Sequence, residues 1–218
     1  MEVRPVSGQV RAAVVVLHGG AVNDVRPSRD RQLAALRMRP VARALGAAVG
    51  EDVLVTRVRY RVRGWNGVQA DPVRDTLGTL DDLAERYGDV PTVLVGHSMG
   101  GRAALHAAGH PLVHAVVGLA PWWPPGEPVD QLAGRRVVAL HGDRDHITSA
   151  TETAELIRRA QGIAVRADLA LVTGGDHAML RRYRVWQRTT TALVAHLVDP
   201  AGSPDPLPAD LLPTSWNA

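Results

Sequence analysis

Six short apolar runs, each followed by a stretch with helical spacing, constrain this chain more than any other feature. They are 10-VRAAVVVL-17, 53-VLVTRVRY-60, 92-TVLV-95, 115-AVVGLA-120, 136-RVVAL-140 and 168-DLALV-172. Nearly continuous hydrophobicity at this length suits parallel strands buried on both faces rather than strands with one wet face. Helices are expected between them, at about 28–48, 71–87, 99–109, 149–161 and 178–198. Asp71-Pro72 reads as an N-cap followed by a first-turn proline, and Gly88 as a helix stop. A chain of 218 residues is long enough for one full core and too short to argue for two. The alternation therefore predicts a single α/β domain: a doubly wound, mainly parallel sheet of about six strands with helices on both faces. Residues 1–199 form that domain in this reading. The segment 200-PAGSPDPLPADLLPTSWNA-218 has no periodicity and reads as a Pro-rich tail, mobile unless Leu211, Leu212 or Trp216 docks on the body.

Composition removes several kinds of chemistry. The chain has no cysteine, which excludes disulfides, thiolate nucleophiles and cysteine-ligated metals. Every one of its 25 basic residues is arginine. Arginine titrates very high, so the basic isoelectric point overstates a formal net charge of only +3. The arginines alternate with acids, as in 143-DRD-145 and 152-ETAELIRR-159. That is the pattern of a solvated surface rather than a nucleic-acid patch. No apolar run is long enough to span a bilayer, and the N-terminus lacks the apolar core of a secretory signal. A cytoplasmic protein with no membrane or nucleic-acid partner is expected.

The stretch 94-LVGHSMGGRAAL-105 carries the most specific chemical signal. Gly96-His97-Ser98-Met99-Gly100 is a G-x-S-x-G sequence between a strand candidate and a helix candidate. The residues two before and two after the serine must be small, because the tight turn brings strand and helix together there. A serine hydroxyl needs a base, and the base needs an acid to orient it. Candidates follow at the ends of later strands: 141-HGDRDH-146 and 173-TGGDH-177. The alternatives are bland. His18 and His97 read as loop-orienting residues; His106, His110, His114 and His196 read as structural or surface residues. Asp176 reads as a helix cap. His141, Asp143, Asp145 and His146 could imitate a metal cluster, but neighbours in one tight turn rarely converge on an ion, so no metal is expected.

HGG at 18–20, GHSMGG at 96–101, HGDRD at 141–145 and GGDH at 174–177 occur in an order that resembles the α/β-hydrolase family over about residues 10–198. The resemblance implies a minimal, lidless serine esterase of the dienelactone-hydrolase kind, acting on a small-molecule acyl substrate without a cofactor. It implies Ser98 as nucleophile, His177 as base and Asp145 as acid, with Asp143 a competing acid whose commoner role is to hold the turn. It implies Met99 and Gly20 as backbone donors of the oxyanion hole, Ala21 replacing Gly20 if the loop shifts. Two strands that usually open the family's sheet are expected to be missing. Only about 15 residues, 121–135, link the fourth and fifth runs where relatives insert a lid. Ala21, Trp65, Trp122 and Trp123 are candidate substrate contacts, the alternative being that one tryptophan of the pair simply covers the sheet. A non-catalytic binding protein of the same fold, an acyltransferase and a thioesterase are the alternatives.

Overall fold

A computed structural model describes residues 8–207. Six strands are present: β1 (Ala12–Leu17), β2 (Val53–Arg57), β3 (Thr92–His97), β4 (Val113–Leu119), β5 (Arg136–Gly142) and β6 (Arg166–Val172). They form one sheet in the order β2-β1-β3-β4-β5-β6, and every pairing is parallel. The helices between them are α1 (Leu33–Ala48), α2 (Asp71–Tyr87), α3 (Met99–His106), α4 (Ala150–Ala160) and α5 (Tyr183–Val198). Leu211, Leu212 and Trp216 lie outside the described residues.

The uninterrupted apolar runs follow from burial on two sides. In β1, Ala13, Val15 and Leu17 enter one core with Leu80 and Leu83 of α2, Ala103–Leu105 of α3 and Leu156 and Ile157 of α4. Ala12, Val14 and Val16 enter a second core with Met38, Ala42 and Leu45 of α1 and Trp186, Leu193, Val194 and Leu197 of α5. Successive strand residues point to opposite faces, so a strand covered by helices on both must be apolar at every position.

Two local expectations change. Ala70, in a left-handed conformation with φ 43°, takes the N-cap place of α2, and Asp71 is the first helical residue. The Asp71 carboxylate instead accepts from Asn66 Nδ2 at 2.9 Å and pairs with Arg61 at 3.4 Å. The beginning of the C-terminal segment is held against the body as well. Asp205 pairs with Arg166 at 2.6 Å, and Leu207 is buried in the α1–α5 core.

The direction in which strands are added reverses between β1 and β3, because the chain adds β2 on one side of β1 and then β3 on the other. In open α/β sheets the crevice at the carboxyl ends of strands flanking such a reversal is where ligands bind. His18-Gly19-Gly20 follows β1 and Ser98 follows β3, so the first two sequence motifs meet at that crevice.

The 120–135 crossover between β4 and β5 contains a single short 3₁₀ turn, at Asp130–Leu132. It is pinned by buried side chains. Trp123 is 1% exposed, and its indole N–H donates to the Gly101 carbonyl at 3.0 Å. Glu127, also buried, accepts from Arg102 at 2.6 Å and bonds His106, while its own carbonyl accepts from Arg159 at 2.9 Å. Truncating a buried tryptophan leaves a void that the surroundings fill only in part. Trp123→Ala is therefore expected to lower stability by about 3–5 kcal/mol, read as a shift of the urea unfolding midpoint; a shift equivalent to under 1 kcal/mol would contradict this packing.

Candidate active site

Ser98 stands at the junction of β3 and α3 with φ 54° and ψ −120°, a strained conformation for a residue with a side chain. Its backbone is over-determined: its N–H donates to Leu119 O at 3.1 Å, and its carbonyl accepts from Gly101 at 2.9 Å and Trp122 at 3.1 Å. The flanking glycines are steric necessities. A Cβ on Gly96 would lie 2.3 Å from Gly100 O, and one on Gly100 would lie 2.6 Å from Leu17 O. Neither backbone has room to move away.

The serine hydroxyl lies 3.1 Å from His177 Nε2, and His177 Nδ1 lies 2.8 Å from Asp145 Oδ2. The three residues come from the turns after β3, β6 and β5, so the structure brings together Ser98, His177 and Asp145 in one hydrogen-bonded line. Asp143 is elsewhere: its Oδ1 accepts from Gly174 N–H at 2.7 Å and ties the β5 turn to the β6 turn. Asp176 accepts from the N–H groups of Leu180 and Arg181, both at 2.9 Å, and so shapes the loop ahead of α5 rather than capping the helix itself. Among the described residues, no three His, Asp or Glu side chains are arranged to hold a metal ion.

Asp145 has a fully buried side chain. Its Oδ1 accepts from Ile147 N–H at 2.8 Å and Thr148 N–H at 2.9 Å; its Oδ2 accepts from Thr148 Oγ1 at 2.8 Å and faces His141 Nε2 at 3.2 Å. Burial alone would raise its pKa, but the hydrogen bonds from His141, His177, Thr148 and Ile147 outweigh it and hold the carboxyl far below the usual carboxylate range. Thr148 also places its hydroxyl 3.2 Å from His177 Nδ1. Thr148 did not stand out in the sequence, and His141 stood out there only as part of a possible metal cluster. The signal available was their spacing around Asp145, three residues after it and four before.

On the β1 side, His18 Nδ1 lies 2.7 Å from the carbonyl of Gly19, and its ring meets Tyr60 edge-on with centroids 4.5 Å apart. Burial lowers the pKa of His18, whose ring shapes the Gly19-Gly20 loop, and so favours its neutral form. Ala21 N–H donates to Arg63 O at 3.0 Å and is therefore spent. Gly20 lies against Met99: a Cβ there would sit 2.4 Å from Met99 Cε and 2.3 Å from Arg63 O. Met99 opens α3, where the first amide groups lack a partner within the helix.

The expected aromatic contacts divide. Trp122, half-buried, donates its backbone N–H to the Ser98 carbonyl, which keeps the residue beside the serine. Trp123 does not line the site, because its ring is spent on the core beneath α3. Trp65 is only 5% exposed, and the Arg102 guanidinium covers its face at 4.0 Å while also lying 4.4 Å from Trp122. Arg102 thus sits in the corner between two nearly perpendicular indoles and is neutralised by Glu127, an arrangement that sequence spacing did not reveal.

The family model described as "Alpha/beta hydrolase family" matches residues 14–216. The chain belongs to the α/β-hydrolase family. Among solved structures, it is similar to an esterase from Pyrobaculum calidifontis at 18% identity, covering 91% of this chain and 79% of that one, with a TM-score of 0.67. A putative α/β hydrolase from Agrobacterium tumefaciens is 12% identical over 94% of each chain, with a TM-score of 0.68. A serine hydrolase homologue from Coxiella burnetii is 14% identical over 88% of each chain, with a TM-score of 0.66. At such identities the likeness is one of fold. No curated protein sequence matches the chain. In this α/β hydrolase no helix among the described residues is long and apolar enough to cross a membrane.

Because the folded-state pKa of Asp145 is depressed, its ionised form stabilises the fold above the unfolded value of about 3.9, and that stability is lost as pH falls below it. Unfolding midpoints in urea at pH 6.0 and 3.0 test this. The gap between the native protein and Asp145→Asn should narrow at the lower pH; an equal gap at both would show that the carboxylate charge contributes nothing.

Proposed function

We propose that this α/β hydrolase is a serine hydrolase that cleaves an ester-type acyl bond of a small molecule through an acyl-enzyme intermediate. The observation that carries the reading is the unbroken line from the Ser98 hydroxyl through His177 to Asp145, at 3.1 and 2.8 Å. The similarity to an esterase fold supports the same reading.

In this mechanism His177 Nε2 takes the proton of Ser98 as Oγ attacks the acyl carbonyl. Asp145 accepts the Nδ1–H, fixes the tautomer that leaves Nε2 free, and stabilises the imidazolium that forms. The N–H groups of Met99 and Gly20 face the developing oxyanion. One such donor is worth about 3–4 kcal/mol in comparable sites. The protonated His177 then delivers its proton to the departing alcohol. Water, deprotonated by the same imidazole, attacks the acyl-Ser98 and restores the hydroxyl. Ala21 has no part in the oxyanion hole, since its N–H is committed to Arg63.

In this reading Trp122 lines the substrate side, backed by its contacts with Arg102 and Trp65. With 120–135 folded tightly onto α3, the reaction runs in an open cleft, which suits a small substrate better than a long acyl chain. Thioesters and lactones present the same electrophilic carbonyl and belong to the same chemical class.

A fluorophosphonate should label Ser98, and Ser98→Ala should lower the turnover of p-nitrophenyl acetate by at least about 10³-fold while leaving the circular dichroism spectrum unchanged. Undiminished turnover in Ser98→Ala would end the assignment.

A further inference from the structure

The proposed chemistry uses one imidazole, yet a second one lies against it. His97 is the last residue of β3 and immediately precedes Ser98. It is 1% exposed, its ring centroid is 4.9 Å from that of His177 at a 45° tilt, and its Nε2 lies 2.8 Å from the His177 carbonyl oxygen. A carbonyl only accepts, so Nε2 carries the proton and donates. Nδ1 is then a bare lone pair, and it is buried with no partner. On that side Gly19 closes in: a Cβ there would stand 3.1 Å from His97 Nδ1 and 3.3 Å from Ser98 Cβ.

We propose that His97 is a positioning residue: its Nε2–H bond to the His177 carbonyl and its ring against the His177 imidazole hold His177 Nε2 at the Ser98 hydroxyl. This rests on the triad reading above and adds to it the means by which the base is placed. His177 lies on the irregular loop 173–182, between β6 and α5. Ser98 hangs from a central strand. His97 connects the two by one peptide bond on one side and one hydrogen bond on the other. Nucleophile and base therefore share an anchor on β3, and movement of the His177 loop is resisted at the strand end that carries the serine.

The same surroundings keep His97 out of proton transfer. Burial, then the field of His177, drives its pKa down to about 3. Arg37 of α1 acts in the same direction, whereas the His177 carbonyl and Asp145 act against it. The ring stays neutral wherever His177 works as a base, so it does not repel the imidazolium formed during the reaction. An orphaned acceptor nitrogen is the cost of that neutrality.

Two substitutions separate this role from simple packing. The amide nitrogen of glutamine reaches the place of Nε2, whereas that of asparagine reaches only the place of Nδ1. His97→Gln should keep kcat for p-nitrophenyl acetate within about threefold, and His97→Asn should lower it about 10- to 100-fold with KM changed less than about twofold. Equal kcat in the two variants per folded molecule, judged by circular dichroism, would overturn the proposal. The unsubstituted protein gives a second readout by ¹⁵N NMR of its histidines. His97 should show the Nε2–H tautomer unchanged between about pH 5 and 9; an Nδ1–H tautomer or a titration in that range would overturn the proposal even if neither variant folds. Ser98→Ala keeps the two ideas apart. If it is inactive while His97→Asn works normally, only the role of His97 falls; if it is fully active, the triad reading falls.

Discussion

The backbone of Ser98 is the constraint around which the site is organised. A non-glycine residue at φ 54° costs free energy, and such strain persists only where the surroundings leave no alternative. Here they leave none. Leu119, Gly101 and Trp122 fix the peptide groups on both sides of the residue, and bare glycines at 96 and 100 let the β1 carbonyls and the start of α3 come within contact. A straighter backbone would turn the hydroxyl away from the crevice between β1 and β3 and break its 3.1 Å contact with the His177 imidazole.

From that junction the electrostatics follow in layers. The buried Asp145 carboxylate is tolerable only because two N–H groups, a threonine hydroxyl and two histidines surround it; an unpaired charge at that depth would be prohibitive. The same saturation fixes the carboxylate in one orientation, so His177 meets a preset partner instead of having to organise one. On the opposite flank Arg102 and Glu127 neutralise one another beneath two indoles.

Most of the fold was legible because its signals are local. A strand buried on two faces is apolar throughout, as β1 is and as β5 is over Val137–Leu140, and the glycines at 96 and 100 announce the turn around Ser98. The line of Ser98, His177 and Asp145 was legible as order along the chain, although only the fold could bring residues 79 and 32 positions apart into hydrogen-bond contact. The misses are non-local. Nothing around Trp123 distinguishes a core tryptophan from one lining a cleft, because the decision lies in a carbonyl on α3. Asp71 looked like a cap because aspartate before proline usually is one, but Asn66 and Arg61 drew its carboxylate elsewhere. Glu127, Arg102 and His106 gave no pattern, since their pairing depends on the path of the 120–135 crossover.

That crossover carries a restriction on how the protein can diversify. Trp122 holds the Ser98 carbonyl, Trp123 fills the space under α3, and Glu127 neutralises Arg102. Between these anchors Pro125 and Gly126 are exposed. An inserted segment entering at Pro125-Gly126 would leave every anchor in place, whereas one entering three residues earlier, between Trp122 and Trp123, would part them and loosen the serine itself. A lineage that acquired a lid on this scaffold would thus find a narrow doorway, set by Ser98 rather than by the surface.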